Sequence, residues 1–154
     1  MLEIISAASE FDTLPMRPSE EDTIRKLLAH SVVAAPEGVK YTDPHTKVNA
    51  LLQAHFSRQH IAGDLAMDQK KAVTESIRLL QASVDVISSE GWLSPALVAM
   101  EMSQMVTQAM WDKDSLLLQL PHVTRVSGKG KGGKLLISPP SWPGQLGTLR
   151  VCLH

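Results

Sequence analysis

The chain is 154 residues long, 44% hydrophobic and 20% charged, with 15 Lys and Arg against 16 Asp and Glu. That suits one domain of ordinary size, burying roughly 70% of its extended-chain surface, with a core that must be mainly aliphatic because aromatics are 4% and Met is seven residues. Nothing approaches the ~18 unbroken apolar residues of a membrane span, Glu3 interrupts the apolar start so no secretory leader is expected, and a lone Cys152 leaves neither an intrachain disulfide nor a multi-cysteine zinc site. The expectation is a soluble protein of a reducing compartment.

Leu2, Ile4, Ile5, Ala8 and Phe11 predict a short first helix that ends before Pro15. Ser19 then offers an N-cap, with Glu20, Glu21 and Asp22 in the first turn, where free helix N–H groups favour negative charge. Ile24, Leu27 and Leu28 form the apolar stripe of that helix. Pro36, Gly38 and Tyr41 mark a loop, and Asp43-Pro44 is a second start signal, a cap followed by proline at the first helical position. Val48, Leu51, Leu52, His55 and Phe56 continue at helical spacing.

The longest element is predicted next. Val73, Ile77, Leu80, Val84 and Ile87 fall at i, i+4, i+7, i+11 and i+14, one face of a 3.6-residue helix that Gly91 stops. Ser94-Pro95 restarts the chain, Leu97, Met100, Met105, Val106 and Met110 carry it to Trp111, and Asp114 is placed as the cap of a last short helix closed by Pro121. Trp92 and Trp111 read as core anchors between helices, and Met100, Met102, Met105 and Met110 as core, with an adaptable partner-binding groove as the alternative. No stretch of the body alternates at period two, so residues 1–122 read as an all-α helical bundle.

Charge divides the chain at the same boundary. Residues 1–122 hold all 16 acids and 10 of the 15 bases, whereas residues 123–154 hold five bases (Arg125, Lys129, Lys131, Lys134, Arg150), no acid, and six of the nine glycines. The Gly/Lys run 127–134, followed by Pro139, Pro140 and Pro143, predicts a flexible, disordered basic tail that cannot repay the entropy of ordering.

Catalytic patterns are missing. Gly128 to Lys134 has the spacing G-x-x-x-x-G-K, but Leu135 stands where a phosphate loop has the Ser or Thr that holds magnesium. His55 and His60 are five apart, not the four that place two imidazoles on one helix face, which leaves a partly buried His55 and a solvated His60. No nucleophile sits on a glycine-flanked turn. The expectation is no enzyme, no metal and no cofactor.

Three blocks carry a resemblance that periodicity does not supply. They are Asp43-Pro44-His45 with Lys47 through Gln59; Arg78 through Ala82, Val84 through Ser89 and Gly91-Trp92-Leu93; and Met100-Glu101 to Met110-Trp111 with Asp114-Ser115 and Gln119-Leu120-Pro121-His122. Residues 2–122 resemble the sec-sixty-three-type helical domain of the large spliceosomal U-five snRNP DExH-box RNA helicases, closest to the second helicase cassette because of Trp92 through Leu97. The resemblance implies a nuclear, spliceosomal setting and a non-catalytic accessory module that works on helicase motor domains or beside other spliceosomal proteins. The motor domains themselves are absent, so the expectation is a fragment, with residues 1–122 the bundle and 123–154 an unrelated tail. It also implies a ratchet-like long helix at about residues 69–90, whose solvent side carries Arg78, Gln81, Asp85 and Ser88. Arg78, Gln81 and Ser88 are the RNA-contact candidates on it, opposed by Asp85 and by the plainer reading of a solvated face. The alternative is a free-standing RNA-binding protein that uses Lys129, Lys131 and Lys134 of the tail on a helical scaffold.

Overall fold

Three helices begin and end for reasons of local chemistry that can be followed residue by residue. A computed structural model describes residues 1–33, 40–120, 123–126, 134–137 and 149–151. The chain divides into two compact units, residues 1–112 and 113–154.

Among the described residues the first unit is an all-α bundle of five helices: α1 (Leu2–Ser6), α2 (Glu21–Ala29), α3 (Pro44–Phe56), α4 (Asp64–Ser89) and α5 (Leu93–Gln108), with single 3-10 turns at Ser9–Phe11 and Pro18–Glu20. Asp43 caps α3 as predicted, its carboxylate accepting the His45 N–H at 3.2 Å, and Pro44 takes the first helical position. The predicted cap of α2 is corrected: Ser19 is exposed inside the 3-10 turn and makes no capping bond. Glu20 accepts the backbone N–H of Arg17 at 3.4 Å instead.

The helices α3, α4 and α5 all end through a residue with positive φ: Arg58 at 50°, Gly91 at 73° and Ala109 at 51°. In each case the next N–H reaches back to the last helical turn: Gln59 to the Ala54 carbonyl at 2.9 Å, Trp92 to Ile87 at 3.3 Å and Met110 to Met105 at 3.3 Å. Only Gly91 adopts that conformation without a Cβ penalty. The other two ends are tied together, because the Arg58 guanidinium donates to the carbonyls of Ala109 at 3.0 Å and Gln108 at 3.2 Å. One cation thus satisfies two carbonyls at the end of α5.

The core gathers Ile5, Phe11 and Leu14 from the N-terminal arm, Val48, Leu52 and Phe56 from α3, Ala72 and Leu80 from α4, and Met102 and Val106 from α5. Trp111 packs edge-on to Phe56 with centroids 5.0 Å apart and donates its indole N–H to the Ser57 hydroxyl at 3.1 Å. A second cluster joins Ile24 and Leu28 of α2 to Ala50 of α3.

The buried stripe of α4 is rotated from the predicted one. Leu65, Asp68, Ala72, Ser76 and Leu80 are buried, so of the aliphatic series only Leu80 lies at its centre. Val73 and Ile77 pack on the core from the flank, and Val84 and Ile87 are half-buried. Shape accounts for this: Ala72 and Ser76 are both fully buried, and small side chains let packed elements come close. The Ser76 hydroxyl has no hydrogen-bond partner among the described residues. One further expectation is corrected: Trp92 is 60% exposed and anchors no core. Ile4 lies in the predicted first helix and is 69% exposed.

In the second unit Leu116–Gln119 forms a 3-10 turn opened by Ser115, whose hydroxyl accepts the Leu117 N–H at 3.4 Å; Ser115, not Asp114, is the cap. Three short strands, β1 (Val123–Val126), β2 (Lys134–Ile137) and β3 (Leu149–Val151), form an antiparallel sheet in that order. Val123 pairs with Ile137, which pairs in turn with Leu149. These segments fall within the stretch expected to be a flexible tail. Runs too short to build a core of their own still pair edge to edge, and Val, Ile and Thr suit that pleated backbone. Lys129, Lys131 and Cys152 lie outside the described residues.

Candidate functional site

A helix as long as α4 can bury only one side in a bundle of this size, so its other side must serve solvent or a partner. Arg78, Gln81, Asp85 and Ser88 are all exposed on that other side, as the spacing predicts. The structure does not treat the four alike. The Arg78 guanidinium lies along its own helix and donates to the Glu75 carboxylate at 3.1 and 3.3 Å. Gln81 and Asp85 instead line a shallow groove of about 510 Å³ with Val84 of α4 and with Met100, Ser103 and Gln104 of α5. Ser88 is not among the lining residues. Lys134, the first residue of β2, is the one member of the proposed basic tail cluster that falls on a described element.

The α5 side of the groove follows from what that helix buries. Ala96, Ala99, Met102 and Val106 face the core. Leu93, Leu97 and Met100 therefore project the other way, and they are 73%, 55% and 48% exposed. The core reading of the methionines holds for Met102 and Met110, which are buried, and for Met105, which packs on the core; Met100 is the exception.

Sequence reasoning missed the most concentrated polar chemistry in the molecule. Lys47 of α3 is completely buried. Its ammonium donates to Glu20 Oε2 at 2.6 Å, to Asp68 Oδ2 at 2.7 Å and to the Pro15 carbonyl at 2.8 Å, which uses all three of its protons. Arg17 closes the ring, donating to the Glu20 carboxylate and to Asp68 Oδ2 at 2.9 Å. Burial pushes both carboxyls upward, but the hydrogen bonds from Lys47 and Arg17 outweigh it and hold Glu20 and Asp68 below the usual carboxylate range. Arg17 is raised, chiefly by its bonds to Glu20 and then Asp68. Every member is paired, so the cluster has no open valence for a ligand; it locks the N-terminal arm, α3 and α4 together. No local signal marks it, since the four residues come from three separate elements.

His45 and His55 are structural. The Nε2 of His55 lies 2.8 Å from the Val106 carbonyl, and His45 bridges the Ser6 carbonyl and the Asp12 carboxylate at 2.9 and 3.0 Å. Among the described residues no three His, Cys, Asp or Glu side chains are grouped to hold a metal ion, and no helix is long and apolar enough to cross a membrane.

The Sec63 Brl domain family matches residues 1–141 of this chain. The DExH-box ATP-dependent RNA helicase DExH12 of Arabidopsis thaliana is 62% identical over 125 residues, which are 81% of this chain and 6% of that protein. The U5 small nuclear ribonucleoprotein 200 kDa helicase of Homo sapiens is 52% identical over 124 residues, 80% of this chain and 6% of the helicase. An activating signal cointegrator 1 complex subunit 3-like protein of Dictyostelium discoideum is 51% identical over 128 residues. The chain therefore spans about 6% of the length of the curated relatives it matches.

Proposed function

This chain belongs to the Sec63 Brl domain family, and from that premise we propose that it is a non-catalytic accessory module of a spliceosomal RNA helicase, acting in the nucleus while docked on motor domains or on other spliceosomal proteins. One observation carries the reading. Identity of 52–62% runs through four-fifths of this chain, yet the matched stretch is about 6% of proteins named as RNA helicases. The phosphate-binding and magnesium-binding residues that such chemistry needs have no counterpart in residues 1–122, and the Gly128 to Lys134 run ends in Leu135. Residues 1–122 supply the module in this reading, and they correspond to part of the second helicase cassette.

RNA contact by Arg78, Gln81 and Ser88 is the lesser role here. Glu75 stands against Arg78, and Asp85 separates Gln81 from Ser88, so a phosphate chain along this face meets acid at two points. The opposed reading, a free-standing RNA-binding protein, is favoured by the five bases and absent acids of residues 123–154.

The test is co-elution of the chain with the motor cassette of a related helicase lacking its own matching segment, with ATP turnover measured in parallel. The chain alone is expected to turn over no ATP and to co-elute with the cassette. ATP hydrolysis that Lys134→Ala abolishes overturns the non-catalytic reading. Failure to co-elute, combined with salt-sensitive RNA binding that disappears when residues 123–154 are deleted, establishes the opposed reading instead.

A further inference from the structure

The groove between α4 and α5 has a feature that the exposed faces of the other helices do not share. Leu93, Leu97, Met100 and Gln104 stand at i, i+4, i+7 and i+11, so they form one stripe about 16 Å long beside the groove. Leu93, Leu97 and Met100 are about half exposed or more on that stripe, and Val84 lines the groove across from them on α4. Among the described residues the only charge lining it is Asp85, and the stretch of chain that builds it is acidic. From residue 79 to residue 111 the chain carries Asp85, Glu90 and Glu101, all exposed, and no Lys, Arg or His. The cations of α4 lie before that stretch: Lys70 and Lys71 in the first half, and Arg78 one turn before Gln81, where it is held by Glu75. Asp85 lies across the groove from the stripe, and Glu101, one residue past Met100, lies on the stripe's far flank. None of the three acids is in an ion pair among the described residues.

We propose that this groove docks a basic amphipathic helix of a partner protein, its apolar side on Val84, Leu97 and Met100 and its Lys or Arg side chains beside Asp85 and Glu101. The proposal rests on the reading of the chain as a module that works docked on protein, and names the chemistry of what docks. Two neighbouring helices joined by the short turn Glu90–Trp92 present a channel into which the side-chain ridges of a third helix pack. An apolar stripe flanked on both sides by unpaired acids selects a partner whose stripe is flanked by cations, and like charge rejects an acidic one. The same acids reject nucleic acid, because a phosphate chain laid in the groove meets Asp85 and Glu101 and no cation. Met100, flexible and exposed at the centre, adapts to the side chains it receives.

The test uses the full chain and three fluorescent probes: a synthetic Leu/Lys peptide patterned as an amphipathic helix of about five turns, a matched Leu/Glu peptide, and oligouridine. The variants are Asp85→Lys and Met100→Lys, both at exposed positions, with circular dichroism melts to show that each stays folded. The expected result is micromolar binding of the Leu/Lys peptide, weakened about tenfold or more by either variant, and no binding of the Leu/Glu peptide. Equal binding of the two peptides overturns the charge argument, and Leu/Lys binding unchanged in both variants overturns the site. Oligouridine that displaces the Leu/Lys peptide shows the groove to be a nucleic-acid surface and overturns the proposal outright. A wild-type chain that co-elutes with motor domains but binds no peptide sinks this inference alone; one that binds the peptide but no motor domain sinks the helicase reading alone.

Discussion

Replacing Lys47 with Met removes a cation that is wholly enclosed in the bundle, and the structure sets the size of the effect. The aliphatic stem is kept, so little packing is lost, but three hydrogen bonds of 2.6–2.8 Å disappear together. Glu20 and Asp68, 5% and 7% exposed, are left facing one another with Arg17 as their remaining partner. Removing one member of a buried ion pair commonly costs about 3–5 kcal/mol. Because Arg17 still reaches both carboxylates, the lower end, about 3 kcal/mol, is expected, a large share of the 5–15 kcal/mol typical of a domain. The sign with pH follows from linkage. Glu20 and Asp68 sit below their unfolded pKa values, so their stabilisation is complete above about pH 4.3 and is lost as pH falls through their folded values. In Lys47→Met that depression is mostly gone. The gap between wild type and variant is therefore widest near neutrality and narrows on acidification, as protonation removes the charges that Lys47 neutralises. Urea unfolding followed by far-ultraviolet circular dichroism at about pH 7 and about pH 4 measures both quantities. A loss below about 1 kcal/mol at neutrality, the scale of an exposed pair, or a loss that is the same at both pH values, refutes the assignment of the cluster as a buried ionic lock.

The helix phase of α4 is tested by a pair of substitutions. Leu80→Asp, at a fully buried site, is expected to cost several kcal/mol and to abolish a cooperative melt, whereas Val84→Asp, half-buried at the groove, costs about 1–2 kcal/mol. Asp85→Ala should leave the melting curve unchanged within error, and equal destabilisation by all three would show the faces to be misassigned. Ser76→Ala removes a buried hydroxyl that has no partner among the described residues and is expected to raise stability by about 1 kcal/mol, read as a higher urea midpoint at constant slope; a lowered midpoint would mean that the hydroxyl is bonded in solution. Phe56→Ala empties the centre of the larger core and should cost about 3–5 kcal/mol, with a red shift of Trp111 emission reporting the loss of its edge-on partner.

Much of the bundle is decided by interactions within a few residues of chain, and those are visible in the sequence. Asp43-Pro44 starts α3 because a carboxylate two residues before an N–H caps it in any context, and Gly91 ends α4 because only glycine turns left-handed without steric cost. The helical period of the aliphatic residues is local in the same sense, and so are the three sequence blocks that place the chain in its family. The other two left-handed helix ends were not legible. Arg58 and Ala109 carry a Cβ that disfavours the conformation, and what holds them is a guanidinium reaching across from one end to the other. The rotation of the α4 stripe was hidden because period counts apolar residues, while close approach between helices favours small ones such as Ala72 and Ser76. The strands past residue 122 were hidden because each is too short to signal alone and exists through its pairing. The groove was half legible: Gln81 and Asp85 share a face by spacing, but that Met100 lies opposite them depends on how α5 folds back. Least visible of all was the Lys47 cluster. A lysine in an apolar helix reads as an exposed charge, and only the tertiary structure, by bringing Glu20 and Asp68 from 27 and 21 residues away, makes its burial tolerable.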